Sequence, residues 1–102
     1  MADYYEYSIP ELVNLLGARI RDYRLRSHMT QKDVAEQSGI SINTIHKFEN
    51  RTVGNISLGT FLSLLKAIGQ IDALDELMPD LPESAYLIRD NQKKVQRIRH
   101  KK

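Results

Sequence analysis

An all-α bundle of about five helices is the fold this sequence predicts, and three observations predict it. Apolar residues recur every three or four positions through most of the first 78 residues. Four hydroxyl residues, Ser8, Thr30, Ser41 and Ser57, stand where helices would begin. No segment alternates polar and apolar residues as a half-buried strand would, and there is no internal repeat.

Each element follows in order. MADYYEYS is polar-aromatic and unpatterned, so it reads first as a frayed N-terminal arm over residues 1–7; the alternative is that Tyr4, Tyr5 and Tyr7 pack on the domain or across a dimer, a packing role rather than a functional one. Ser8 with Glu11 three residues on forms a capping box, and Pro10 lies inside the first turn, where a helix tolerates it. Leu12, Val13, Leu16, Ile20 and Tyr23 then carry a first helix to about residue 28. Gly17 weakens that helix and predicts a close neighbour. Thr30 and Asp33 open a second helix that ends at Gly39, a residue suited to a left-handed stop. Ser41 caps a third, Ile42 to Glu49, and Asn50–Ile56 is a polar loop. Ser57 caps a fourth, whose apolar face is Leu58, Phe61, Leu62, Leu65 and Ile68, before Gly69. Ile71, Leu74, Leu77 and Met78 make a short fifth helix that Pro79 and Pro82 terminate.

Composition narrows the function classes. At 102 residues the chain holds one core, and 41% hydrophobic with 27% charged residues is an ordinary globular balance. Without cysteine there is no disulfide framework, thiolate zinc site or cysteine nucleophile. No apolar run approaches the ~18 residues a membrane span needs, and no signal segment opens the chain, so the expected compartment is the cytoplasm. The net charge of +2 is unevenly placed. Residues 1–78 hold eight Lys/Arg against ten Asp/Glu, a net of −2, whereas residues 79–102 hold seven against three, a net of +4. The chain therefore divides into an arm (1–7), a helical domain (8–78) and a basic tail (79–102) ending in KKVQRIRHKK. Such a tail offers diffuse attraction to nucleic acid, or else is a solubilising end.

One compact pattern, QKDVAEQSGISINTIHKFEN from Gln31 to Asn50, is more specific than anything else in the chain. Ala35 lies four residues before Gly39, and Ile45 and Phe48 lie six and nine after it, which is the spacing of a helix-turn-helix. Ala35 is small where two helices must approach, and Gly39 makes the turn. Val34, Ile40, Ile45 and Phe48 point inward. Ile42, Asn43, His46 and Lys47 are left on the outer face of the third helix, where a DNA reader carries its contacts. The same spacing also occurs in bundles used for protein contacts, and His46 is either a reader or an ordinary surface histidine.

From about Leu16 to Met78 the chain resembles the phage-repressor-like (XRE, or Cro-like) helix-turn-helix regulators. The words that carry the resemblance are TQKDVAEQSGIS and TIHKFEN, with Arg24 six residues before Thr30. The resemblance implies a five-helix repressor-like bundle that binds double-stranded DNA at a palindromic operator, as a homodimer, and acts as a repressor. It implies that Gln31 donates to a phosphate at the positive end of the second helix. Ser41 is implied to reach a phosphate or base edge, Asn43 to read a base, best adenine, and Lys47 to reach guanine or phosphate. Ile42 is implied to touch a thymine methyl, and Asn50 to bind the DNA backbone. Arg24 and Glu49 are implied to form a buried ion pair that orients the reading helix.

Two departures from the family pattern stand out. Glycine usually follows the Glu-Asn pair, but Arg51 stands there, so the loop beyond is expected to take another route. Thr52–Ile56 contains no lysine or arginine, which leaves Arg51 and backbone amides to meet phosphate, or the tail to supply the charge. The loop and the basic tail after LPES most resemble antitoxin repressors paired with HipA-type kinase toxins. A second function therefore stays open: an interaction module or antitoxin that neutralises such a partner, with DNA binding secondary. Catalysis has no support, because His28, His46 and His100 lack metal-ligand spacing and no nucleophile arrangement or phosphate loop is present. No cofactor, metal site or enzymatic activity is expected.

Overall fold

A computed structural model describes residues 3–82. Its elements are a short 3₁₀ turn, Tyr4–Glu6, then α1 (Ile9–Arg26), α2 (Gln31–Ser38), α3 (Ile42–Glu49) and α4 (Leu58–Ala67). A second 3₁₀ turn, Ile71–Ala73, leads into α5 (Leu74–Leu77). Among the described residues there is no strand, and the fold is all-α. No helix among them is long and apolar enough to cross a membrane.

The four predicted caps start the four main helices. Ser8 Oγ accepts from the Glu11 amide at 3.2 Å, and the Ser8 amide donates to Glu11 Oε1 at 2.7 Å. Thr30 and Asp33 exchange the same two bonds at 3.0 and 2.8 Å. In each box the amide that donates to the carboxylate favours its ionised form, so Glu11 and Asp33 titrate below their ordinary range, chiefly through the backbone amides of Ser8 and Thr30. Ser41 caps α3 through the Thr44 amide and Ser57 caps α4 through the Thr60 amide.

The helix ends are as regular as the starts. After α1, α3 and α4 a left-handed residue closes the last turn: His28 (φ 58°), Arg51 (φ 61°) and Gly69 (φ 74°). In each case the next amide reaches back to the helix, Met29 to the Arg24 carbonyl, Thr52 to Lys47 and Gln70 to Leu65. This paired closure satisfies carbonyls that a helix end otherwise leaves bare.

The core is Ile20 of α1, Val34 of α2, Ile45 and Phe48 of α3, and Leu64, Leu65 and Ile68 from α4 and its end. Phe48 and Phe61 meet edge to face, with ring centroids 6.3 Å apart. The close neighbour expected at Gly17 is the α3 backbone: a Cβ there would overlap the Phe48 carbonyl oxygen. Glycine thus sets the distance between α1 and the end of α3.

Four expectations need adjustment. The first helix stops at Arg26, because Ser27 and His28 form the closing turn. Along its face Leu16 and Tyr23 are exposed, and Leu58 in the first turn of α4 is 70% exposed. The fifth helix is a single turn preceded by a 3₁₀ turn: Gln70 provides no side-chain cap, and Met78, ahead of Pro79, leaves helical geometry at φ −142° and ψ 78°. The arm is not frayed over Asp3–Tyr7. Asp3 caps the turn through the Tyr5 amide, Tyr4 packs edge to face on Tyr7, and the Arg19 guanidinium donates to Tyr4 Oη at 3.1 Å. The segment KKVQRIRHKK lies outside the described residues.

Candidate nucleic-acid interface

Between α2 and α3 the chain turns through Gly39, at φ 76°, whose amide closes α2 on the Ala35 carbonyl. Ile40 and Ala35, both half-buried, pack on the core. With Ile45 and Phe48 fully buried, α3 can sit on the domain in one rotational setting only. That setting leaves Ile42, Asn43, His46 and Lys47 exposed, with Ile42 at 49%.

A polar brace fixes the same helix from below. Arg24 Nε donates to Glu49 Oε2 and Nη2 to Oε1, both at 2.8 Å, a two-pronged pair with both residues buried. The remaining prong, Nη1, donates to the Met29 carbonyl at 2.8 Å. Gln31 Nε2 adds a bond to Glu49 Oε1 at 3.1 Å. The Glu49 hydrogen bonds hold the Arg24 guanidinium even more firmly protonated than usual. One carboxylate thereby ties the end of α1, the start of α2 and the end of α3 together.

The other sequence-predicted residues fall around this face in different states. Ser41 is exposed, but its hydroxyl is engaged in the cap and in a 2.9 Å bond to Thr44 Oγ1. Gln31 is half-buried with its amide turned toward Glu49. Asn50 is exposed at the end of α3, its amide nitrogen 2.9 Å from His46 Nε2 and 3.2 Å from Nδ1. Arg51 is exposed and left-handed. Arg51 thus holds, with a Cβ, the backbone conformation that glycine favours. Beyond it, Thr52 returns its amide and hydroxyl to the Lys47 carbonyl.

Two side chains not marked by motif spacing share this region. His28 and Lys32 line one shallow depression with Arg24, Gln31 and Ile42. Spacing alone does not find them, since His28 belongs to a turn and Lys32 looks like any solvated helix lysine.

A two-helix unit, turned at a glycine and locked onto a helical core with its second helix outward, is the architecture of a helix-turn-helix regulator. A family model described as a helix-turn-helix domain matches residues 15–77, and the chain belongs to that family. Among curated proteins and among solved structures, none matches the chain.

Proposed function

We propose that this protein is a sequence-specific double-stranded DNA-binding transcriptional regulator of the phage-repressor-like kind, a cytoplasmic repressor that occupies a promoter and reads the major groove with α3. The observation that carries this reading is the outward set Ile42, Asn43, His46 and Lys47 on a helix held by Phe48, Ile45 and the Arg24–Glu49 brace. Asn43 pairs with a base edge, adenine offering the best match for an amide, and Lys47 meets guanine or phosphate. Ile42 covers a thymine methyl. Ser41, His46, Asn50 and Arg51 border the groove, and Gln31 acts from the start of α2, the positive end of that helix. The helical domain works as a homodimer on a palindromic operator with half-sites about one turn, ~34 Å, apart. Its pairing surface is the exposed apolar set Leu74, Leu77 and Met78 with Leu16 and Tyr23.

The test is operator binding by two variants. Asn43→Ala and Lys47→Ala should each weaken a duplex selected from random DNA by about 1–3 kcal/mol while leaving the circular dichroism spectrum and the unfolding midpoint in place. Fluorescence anisotropy that finds both affinities unchanged would remove α3 as the reader.

The same apolar set supports a second reading: an antitoxin whose principal partner is a protein such as a kinase toxin. A stoichiometric kinase-like protein retained by the full chain from its native host would favour that reading over repression alone.

A further inference from the structure

Four left-handed residues close the four main helices, His28, Gly39, Arg51 and Gly69, and they are not equivalent. Gly39 and Gly69 adopt that conformation freely. His28 and Arg51 carry a Cβ into it, where an L-residue is disfavoured; histidine is tolerated better than most, yet less well than glycine. Neither residue is buried, so packing does not explain the choice. Glycine would close both turns with the same backbone bonds and less strain. Strain held at an exposed position points to a use for the side chain.

The placement of the two supports this. Arg51 follows α3, and it borders DNA in the reading proposed above. His28 lies at the other side of the face, in the depression it shares with Gln31, Lys32 and Ile42. Among the described residues no carboxylate lines that depression. Two acids of the same elements are already engaged: Glu49 is held by Arg24 and Gln31, and Asp33 caps Thr30. What is exposed there is an imidazole and an ammonium, which are donors suited to an anion.

We infer that His28 and Lys32 form a phosphate-contacting edge, carrying the DNA footprint from α3 across the turn between α1 and α2. The ligand is the phosphodiester backbone bordering the groove that α3 enters, so this inference rests on the major-groove reading. An imidazole N–H and the Lys32 ammonium donate to non-bridging phosphate oxygens. Such contacts set register and add affinity without selecting a base.

The experiment compares the full chain with His28→Gly and Lys32→Gln on a duplex enriched from a random pool and on a mixed-sequence duplex of equal length. His28→Gly relieves the left-handed strain, so it should resist urea better than the parent. It should nevertheless bind both duplexes about three- to tenfold more weakly, the scale of one lost hydrogen bond. Lys32→Gln should lower the slope of log affinity against log salt by about one. Parental affinity and slope in either variant overturns the paired edge, as does a His28→Gly chain no more stable than the parent. Failure of the underlying reading looks different. Asn43→Ala would then leave the enriched duplex bound as tightly as before, or the parent chain would retain no duplex even at low salt.

Discussion

On α3, Ile45 and Phe48 are fully buried while Ile42, one turn away, is 49% exposed; on α1 and α5, Leu16, Tyr23, Leu74 and Leu77 are exposed together around one shallow groove. The two regions share no residue. On the first, a lone apolar side chain stands among polar ones, and the helix beneath it is clamped by a two-pronged ion pair and an amide. On the second, apolar side chains gather with Phe61 and Ile20 beneath them and no such clamp. The difference teaches that exposure of a hydrophobic residue is not one phenomenon. A single isoleucine on a braced helix presents a methyl to a small target. A contiguous apolar patch invites a second surface of comparable size.

The largest effect expected from breaking the comparison is at the brace. Arg24→Ala or Glu49→Ala leaves a buried charge unpaired and should cost about 3–5 kcal/mol of stability in urea unfolding. Replacing both by Met and Leu should recover most of that loss, because the pair is costly to desolvate as well as strong. Recovery of stability without recovery of operator binding would show that the pair orients α3 as well as holding it.

A smaller effect on the folded domain, but a decisive one for the second region, comes from Leu77→Asp. Leu77 is 69% exposed, so unfolding free energy of the monomer should stay within about 0.5 kcal/mol. If the groove pairs two copies, sedimentation equilibrium should shift the chain to monomer mass. Unchanged mass would move the pairing surface elsewhere.

The smallest effect is in acid, and it belongs to the first region and the start of α1. Glu11 and Asp33 have lowered folded pKa values, so the stability they contribute is present above the ordinary carboxylate range, about pH 4, and is lost as pH falls through their lowered values. Asp33→Asn and Glu11→Gln should therefore each flatten the decline of stability below about pH 4, measured by urea midpoints across the acid range. An identical decline in the variants would mean that these caps do not carry it.

Much of the fold was legible because it depends on local chemistry. Ser8, Thr30, Ser41 and Ser57 cap the helices they announce, since a hydroxyl three residues ahead of an amide finds it within a single turn. Gly17 signalled a close approach, and α3 supplies it. The outer face of α3 was legible for the same reason: Ile45 and Phe48 are three apart and bury one side, which exposes the other. The exposure of Leu16, Tyr23 and Leu58 was not legible, because helical spacing says which residues share a face, not whether another element covers it. The short α5 leaves the groove open, and its one turn reflects a missing cap and a proline. The arm was misread for a similar reason, since its order depends on Arg19, fifteen residues away.

By itself, the sequence determined the helices, their caps, the glycine turn and the outward face of α3, all of which follow from interactions within a few residues along the chain. Tertiary structure alone decided that Gln31 turns its amide to Glu49, that His28 and Lys32 adjoin Ile42, and that the Leu74–Leu77 turn leaves Leu16 and Tyr23 uncovered. These depend on where separate helices come to rest, and that is set by the shared packing of Ile20, Val34, Phe48 and Leu64 rather than by any local rule.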